Sequence, residues 1–565
     1  MYFNSDLKTE NTYDAIVVGS GISGGWAAKE LTEKGLKVLV LERGRMVKHG
    51  EYPTAALAPW QLPNGNRMTQ EELKDYEKQS RHAIAPATRH WWIKDTESPY
   101  TEVKRFDWIR GYHVGGRSLM WGRQSYRHSD IDFSANAQEG VGTDWPIRYK
   151  DIAPWYDYTE SFAGISGLKE GLEQLPDGKF LPAIEFNCVE KKVRETMFAK
   201  FPGRVLSAGR VANLTQEHNG RTKCQFRNLC NRGCPYGAYF SSQSSTLPAA
   251  EKTGNLTIRP HSIVNSIIYD AKAKKASGVR VIDAESKETI EFHAKIVFLC
   301  ASAINSTWIL MNSTSEQYPD GLGSSSGELG HNLMDHHFRA GASGEIPGFE
   351  DMYYFGRRPG GTYMPRFRNV GKDKQKDFTR GYGYQGGASR TGWQRNVKEL
   401  GFGEDLKDNI GAPGPWVMGF GGFGETLPYH ENKMMLNKDL LDKWGQPTVT
   451  FDCEFKENEM NMRKDMITSA AEMLDASGAK NIRLNDPKDN APGLGIHEMG
   501  TARMGTSPKN SVLNAHNQVW DCTNVYVTDG ACMTSAACVN PSLTYMALTA
   551  RAADHAVKEL KKMNL

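Results

Sequence analysis

Residues 13–18 form a short apolar run, rich in β-branched side chains, that stops at Gly19. A strand buried on both faces has this pattern, without polar alternation, so a parallel strand is predicted. Residues 25–34 follow with apolar positions at helical spacing, and Gly35 supplies a C-cap. Residues 37–41 predict a second buried strand that ends at Glu42. Strand-like runs recur at 256–269 and 525–527, and an aromatic helix is predicted over 151–162. Residues 51–105 are polar, contain Pro, Gly and Trp, and lack periodicity. A stretch of that length predicts an excursion that serves as a lid or a partner contact.

The turn between the first strand and the helix reads Gly19-Ser20-Gly21-Ile22-Ser23-Gly24, a GxGxxG. In this context each glycine has its own role. Gly19 permits the turn, Gly21 lets the backbone approach a pyrophosphate, and Gly24 lets helix pack on strand. The diphosphate is expected at the helix N-terminus, where unpaired N–H groups and the dipole favour anions. Glu42 lies 23 residues after Gly19, the distance expected of an acid that binds a ribose hydroxyl. Strand, turn, helix, strand and acid together predict a dinucleotide-binding unit.

Composition narrows the class. The 565 residues suggest three or four domain-sized units at roughly 150 residues each. Sixty-nine basic and 66 acidic residues leave a net charge of +3, which excludes an electrostatic footprint for nucleic acid. No apolar run approaches the ~18–20 residues that span a bilayer. The first eleven residues are polar, and the apolar run 15–18 is too short for a signal-peptide core. Nine cysteines, an odd number in a long chain, argue against a disulfide scaffold.

Further motifs follow in order: Gly115-Gly116-Arg117-Ser118-Leu119-Met120-Trp121-Gly122, Asp144-Trp145-Pro146-Ile147, the stretch 297–305 with Gly330 to His336, His497-Glu498-Met499-Gly500-Thr501, and Asn540-Pro541-Ser542-Leu543-Thr544. Together with the opening unit they resemble the glucose–methanol–choline (GMC) oxidoreductases over most of the chain. The branch is similar to the flavoprotein subunits of bacterial sugar and glycoside dehydrogenases, of the gluconate 2-dehydrogenase and glycoside 3-dehydrogenase type, and more distantly to pyranose 2-oxidase. The resemblance implies an α/β fold: a Rossmann-like FAD-binding domain interleaved with an α+β substrate domain that contains an antiparallel sheet. The expected FAD domain comprises 1–50, 106–165, 205–345 and 490–565. The substrate domain comprises 166–204 and 346–489, with 51–105 as the excursion.

The resemblance also assigns residues. Gly19, Gly21, Gly24 and Glu42 hold the ADP half of FAD. Gly115, Gly116 and Ser118 pass close to the isoalloxazine, Val264 contacts adenine through its backbone, and Asp529, Gly530 and Thr544 complete the cofactor contacts. Some relatives tether FAD through a histidine in the second glycine segment; Met120 stands at that place here, so the FAD is expected to be non-covalent. His497 matches the catalytic base and Asn540 the residue that hydrogen-bonds the substrate oxygen. An imidazole suits the role of base because its ordinary pKa of about 6.5 lies near neutral pH. His336 and His337 are expected to be structural, and Trp91 and Trp92 core. Gln385, in the glycine-rich segment 381–387, is the expected contact to a substrate hydroxyl.

Cys224, Cys230 and Cys234 form a C-x5-C-x3-C-P segment. Closely spaced thiolates in a loop suit an iron–sulfur cluster. Structural zinc would want four ligands. Three ligands suit a 3Fe-4S cluster; the other reading is a set of reduced thiols, or one disulfide with a spare thiol. The motif resembles one in fructose and FAD-glucose dehydrogenases. That likeness implies a protein acceptor such as a cytochrome c, a small subunit carrying the export signal, and a periplasmic location, with the cytoplasm as the alternative. The expected activity is oxidation of a secondary hydroxyl of a sugar or glycoside, at pyranose C3. The rivals are an oxidase using dioxygen, a non-redox lyase and an inactive electron-transfer subunit.

Overall fold

The computed structural model describes residues 11–82, 84–353, 358–392 and 401–565. Strand β1 (Thr12–Val18) and strand β2 (Val38–Leu41) run parallel, in register from Ala15 opposite Val38 to Val18 opposite Leu41, and helix α1 (Ile22–Glu33) joins them. Ala15, Ile16 and Val17 are wholly buried, because both faces of this sheet are covered. The sheet continues in parallel from Leu256–Arg259 through β2 and β1 to Thr289–Leu299 and Cys522–Val527. The hairpin Ser262–Asp270 and Lys275–Asp283 attaches to it antiparallel through Thr289–Leu299. The last helix, Ser542–Lys561, packs on α1. The predicted opening unit and the fold class are both present.

A second sheet has six antiparallel strands in the order Lys480–Asn485, His337–Glu345, Trp416–Gly424, Tyr382–Arg390, Thr362–Met364 and Ser207–Ala208. Ser207–Ala208 and His337–Glu345 thus pair in this sheet, although both fall within the stretch expected for the FAD domain. Strand pairing recruits them across the chain, and no break in composition marks the crossing. The period of two in a strand sorts the side chains. Tyr382 and Tyr384 face the helix Glu457–Ala476, where Tyr384 Oη donates to the Met466 carbonyl at 2.5 Å. Gln385 faces the other way. A bulge between Gly422 and Phe423 skips Arg339, which takes a left-handed φ of 66°. Segment 51–105 forms short helical turns and one two-residue strand, Thr101–Glu102, that pairs with Thr450 and Phe451. Trp91 is buried with Val47, Tyr52 and Leu119, a core position. Among the described residues no helix is long and apolar enough to cross a membrane.

Candidate active site

The turn after β1 is built as its glycines predict. Gly19 has φ +91°, and a Cβ there would lie 2.5 Å from the Cys300 carbonyl oxygen. A Cβ on Gly24 would lie 1.9 Å from the Gly19 oxygen. A Cβ on Gly21 meets nothing within 4 Å, because Gly21 borders open space. That space is a cavity of about 540 Å³ that runs from Gly19 and Gly21 past Glu42, Val264 and Asp529 to His497. The N-terminus of α1 opens on it at Gly21, with no side-chain cap and no acidic residue in the first turn. The backbone donors of that turn are left for an anion.

Glu42 borders the cavity and braces the turn. One carboxylate oxygen accepts from Ser20 N at 3.2 Å and Ser20 Oγ at 2.5 Å, and the other accepts from Gly44 N at 3.0 Å. Burial pushes this carboxyl up, against the donors that hold it down. Buried polar atoms at the wall, Arg43 Nε, His82 Nδ1, Trp92 Nε1 and Tyr545 Oη, have no partner among the described residues. A buried polar group calls for a partner, so this wall suits a long polar ligand. Open cradle, free helix terminus and orphaned donors fit FAD. Gly116, Ser118, Gly530 and Asn540 also border the cavity. Gly115 and Thr544 do not. Gly115 N donates to Ser20 Oγ at 2.9 Å, so this glycine supports the turn from behind. Thr544 Oγ1 is engaged with Tyr156 Oη at 2.8 Å, because the helical rotation that turns Tyr545 to the cavity turns Thr544 away.

At the far end four side chains form one chain of hydrogen bonds. Gln385 Nε2 donates to Asn540 Oδ1 at 2.5 Å, and Asn540 Nδ2 lies 3.3 Å from His497 Nε2. His497 Nδ1 lies 2.9 Å from His336 Nδ1, and His336 Nε2 lies 2.8 Å from the Ala537 carbonyl. Burial, His336 and Arg117 hold the His497 imidazole well below its ordinary pKa, so it stays neutral over a wide range. The neighbouring Glu498 is gripped by Arg117 through two bonds of 2.8 and 3.0 Å. Phe423, turned by the bulge, packs on His497 with ring centroids 6.3 Å apart. His337 packs instead on Phe455 and Gly424.

His336, expected to be structural, thus contacts the candidate base directly. Met334 and Met499 exchange backbone bonds of 2.9 and 3.0 Å, which lock the two segments side by side. Nothing in the local pattern of either segment signals that pairing.

Cys224, Cys230 and Cys234 are half-buried and line a second, more open cavity of about 1510 Å³, which shares Met120 to Gln124 and Gln385 with the first. Among the described residues the only three ligand groups within 4.8 Å of one another are those of Asp335, His336 and His497, so the three thiols are not spaced to hold a single ion. Burial and the neighbouring Cys230 push the Cys224 and Cys234 thiols up, toward the protonated form.

The buried imidazoles carry a stability consequence. Burial lowers His128 and His336 to about 4, and His113 and His337 to about 3. Between pH ~6.5 and those values the unfolded chain holds more protons than the folded one, so stability falls as pH drops. Asp335 and Glu425, pushed up to about 7, and Asp529, pushed up to about 6, act in the opposite direction. The imidazoles outnumber them, two to one once half-buried His82 and His90, both lowered to about 4, are added. The thermal midpoint should therefore fall between pH 7 and pH 5; a flat or rising midpoint would contradict it.

A dinucleotide cradle that ends at a neutral imidazole and an amide defines a cofactor-dependent site for an alcohol hydroxyl. Family models described as GMC oxidoreductase match residues 13–338 and 428–549. The chain is 29% identical to a 2-methyl-1,2-propanediol dehydrogenase of Mycolicibacterium austroafricanum, over 96% of this chain and 94% of that protein. It is 24% identical to the fructose dehydrogenase large subunit of Gluconobacter japonicus, over 97% and 98% of the two chains. A formate oxidase from Aspergillus oryzae shares the fold, with a TM-score of 0.60, 15% identity and coverage of 98% and 99%. The chain belongs to the GMC oxidoreductases, and is an FAD-dependent oxidoreductase acting on CH–OH donors.

Proposed function

We propose that the chain is a dehydrogenase that oxidises a secondary hydroxyl of a sugar or glycoside, taking a pyranose at C3 to the 3-keto sugar, and passes the electrons to a protein acceptor. One observation carries the reading: the Gln385–Asn540–His497 chain stands where the narrow cofactor cavity meets the wide vestibule. A vestibule of about 1510 Å³, lined by both polar and apolar groups, is roomy for a small diol and suits a glycoside. FAD, when bound, supplies the two-electron acceptor for the carbon-bound hydrogen. His497 Nε2 takes the hydroxyl proton. Asn540 orients the substrate oxygen but cannot serve as the base, and Gln385 holds Asn540. The Arg117–Glu498 pair steadies the loop behind His497.

A protein acceptor of the cytochrome c kind, with a small exported partner subunit and a periplasmic location, completes the reading. Its support is that the Gluconobacter relative is named a large subunit. An iron–sulfur cluster held by Cys224, Cys230 and Cys234, which line the vestibule, would supply the electron exit toward that acceptor.

The test is anaerobic visible spectroscopy of the purified flavoprotein with methyl glucoside, fructose and 2-methyl-1,2-propanediol, followed by NMR of the product. Bleaching by the glucoside first, with a 3-keto product, is the expected result. Faster bleaching by the diol overturns the substrate class, and rapid peroxide formation in air replaces the dehydrogenase by an oxidase. Flavin that bleaches with none of them overturns the redox reading for these substrates.

A further inference from the structure

We propose that His336 is a positioning residue that sets the tautomer of His497, so that Nε2 of His497 meets the substrate as a bare lone pair. The inference deepens the reading of His497 as the base and rests on it.

One group at the end of the chain of bonds has no choice of role. A backbone carbonyl can only accept, and the Ala537 oxygen lies 2.8 Å from His336 Nε2. That nitrogen must therefore carry the hydrogen. Ala537 is fully buried and has φ +54°, a left-handed conformation that a residue with a Cβ adopts at a cost. The surrounding packing holds this backbone in place, and with it the aim of the carbonyl.

His336 is itself buried, and burial together with nearby His128 keeps it neutral down to about pH 4. A neutral ring with its hydrogen on Nε2 has a bare Nδ1. That Nδ1 lies 2.9 Å from His497 Nδ1. Two lone pairs facing each other at this distance would repel, so His497 Nδ1 must donate. Its own Nε2 is then bare, and the Asn540 amide is placed to donate to it at 3.3 Å. The opposite set of tautomers would leave the Ala537 carbonyl without its hydrogen and set two N–H groups against each other. The two rings stand at 89°, with centroids 5.0 Å apart.

The register of this relay is fixed from the backbone. Asp335 accepts from Gly493 N and Gly495 N at 2.8 Å each and from His497 N at 3.0 Å. The dipeptide Asp335-His336 therefore holds the loop through its first side chain and the imidazole through its second. The charged groups near the relay are Asp335 itself and the Arg117–Glu498 pair beyond it.

A neutron structure of the resting flavoprotein reads the proton positions without any turnover. Deuterium on His336 Nε2 and His497 Nδ1 is the expected result; deuterium on His497 Nε2 overturns the proposal. Two variants give an independent reading. In His336→Gln the amide can still donate to Ala537 and accept from His497, whereas His336→Leu can do neither. His336→Leu should lower kcat about 10²-fold or more, the scale seen when a catalytic imidazole loses the group that sets its tautomer. KM should move by less than about threefold, because the loss falls on the proton transfer and not on ground-state binding. His336→Gln should recover at least about tenfold of that loss. Equal rates in the two variants, or a His336→Leu enzyme as fast as the parent, overturn the proposal. Failure of the base reading is separate: there His497→Ala would leave the rate intact, while the neutron result would still stand or fall by itself.

Discussion

His497→Ala should lower the anaerobic rate of flavin bleaching by about 10²–10⁴-fold, the range that a positioned general base contributes. FAD content and the thermal midpoint should stay close to those of the parent, because the ring is half-buried at the cavity end and braces no sheet or helix. The substituted chain keeps Asn540 and Gln385, so substrate can still be held with no nitrogen to take the hydroxyl proton. The pH dependence of the parent sharpens the test. The base must be unprotonated to act, and His497 is held well below its ordinary value by burial, His336 and Arg117. The bleaching rate should therefore stay level as pH falls through about 6.5, where an ordinary imidazole would become protonated. A His497→Ala rate within tenfold of the parent rules out the role. A rate that falls through pH 6.5 shows that burial does not set this titration.

Gly21→Val should yield a folded protein without flavin. The distinction rests on geometry: a Cβ on Gly21 meets nothing within 4 Å, whereas one on Gly24 meets the Gly19 oxygen at 1.9 Å. Gly21 also has φ −68°, a value open to any residue, so the backbone accepts valine. The added methyl groups enter the space assigned to the diphosphate and cover the open N-terminus of α1. Overpacking of this kind costs about 1–3 kcal/mol, which corresponds to roughly 5–150-fold weaker FAD binding. The absorbance ratio of flavin to protein measures the loss directly. Circular dichroism, compared with the parent stripped of flavin, checks that the fold survives. Full flavin content in Gly21→Val would place the diphosphate elsewhere. Gly24→Val, by contrast, should fail to fold, because helix and strand can no longer close on each other.

Local chemistry makes much of this protein readable from its residues. β1, its glycine turn, α1, β2 and Glu42 lie within 31 consecutive residues, 12–42, and each element follows from its own composition. Gln385 is legible in part: the glycine-rich segment 381–387 needs a reason for its amide, and strand alternation aims it away from Tyr382 and Tyr384. The site itself is harder. His497 and Asn540 stand out by motif, and the structure joins them at 3.3 Å. His336 carries no such mark, since its neighbour His337 is an equally buried imidazole that packs on Phe455. Thr544 has the motif of a site residue, yet one step of helical rotation gives it to Tyr156. The cysteine segment has the spacing of a ligand set, and the structure adds that its thiols line the vestibule.

The sequence by itself determined the cofactor class, because a phosphate cradle is made of adjacent backbone groups and a short-range pattern specifies it. It also pointed, through the family motifs, to an imidazole and an amide near the C-terminus as the candidates for the chemistry. Only the tertiary structure decided what each of them touches. His336 and His497 are 161 residues apart, and they meet because the Met334–Met499 bridge and the three Asp335 bonds align two distant segments. Hydrophobic periodicity encodes which face of an element is buried, but not which surface buries it. The direction of each proton in the relay follows from the Ala537 carbonyl, whose aim is set by packing around a strained backbone and by no local signal in the chain.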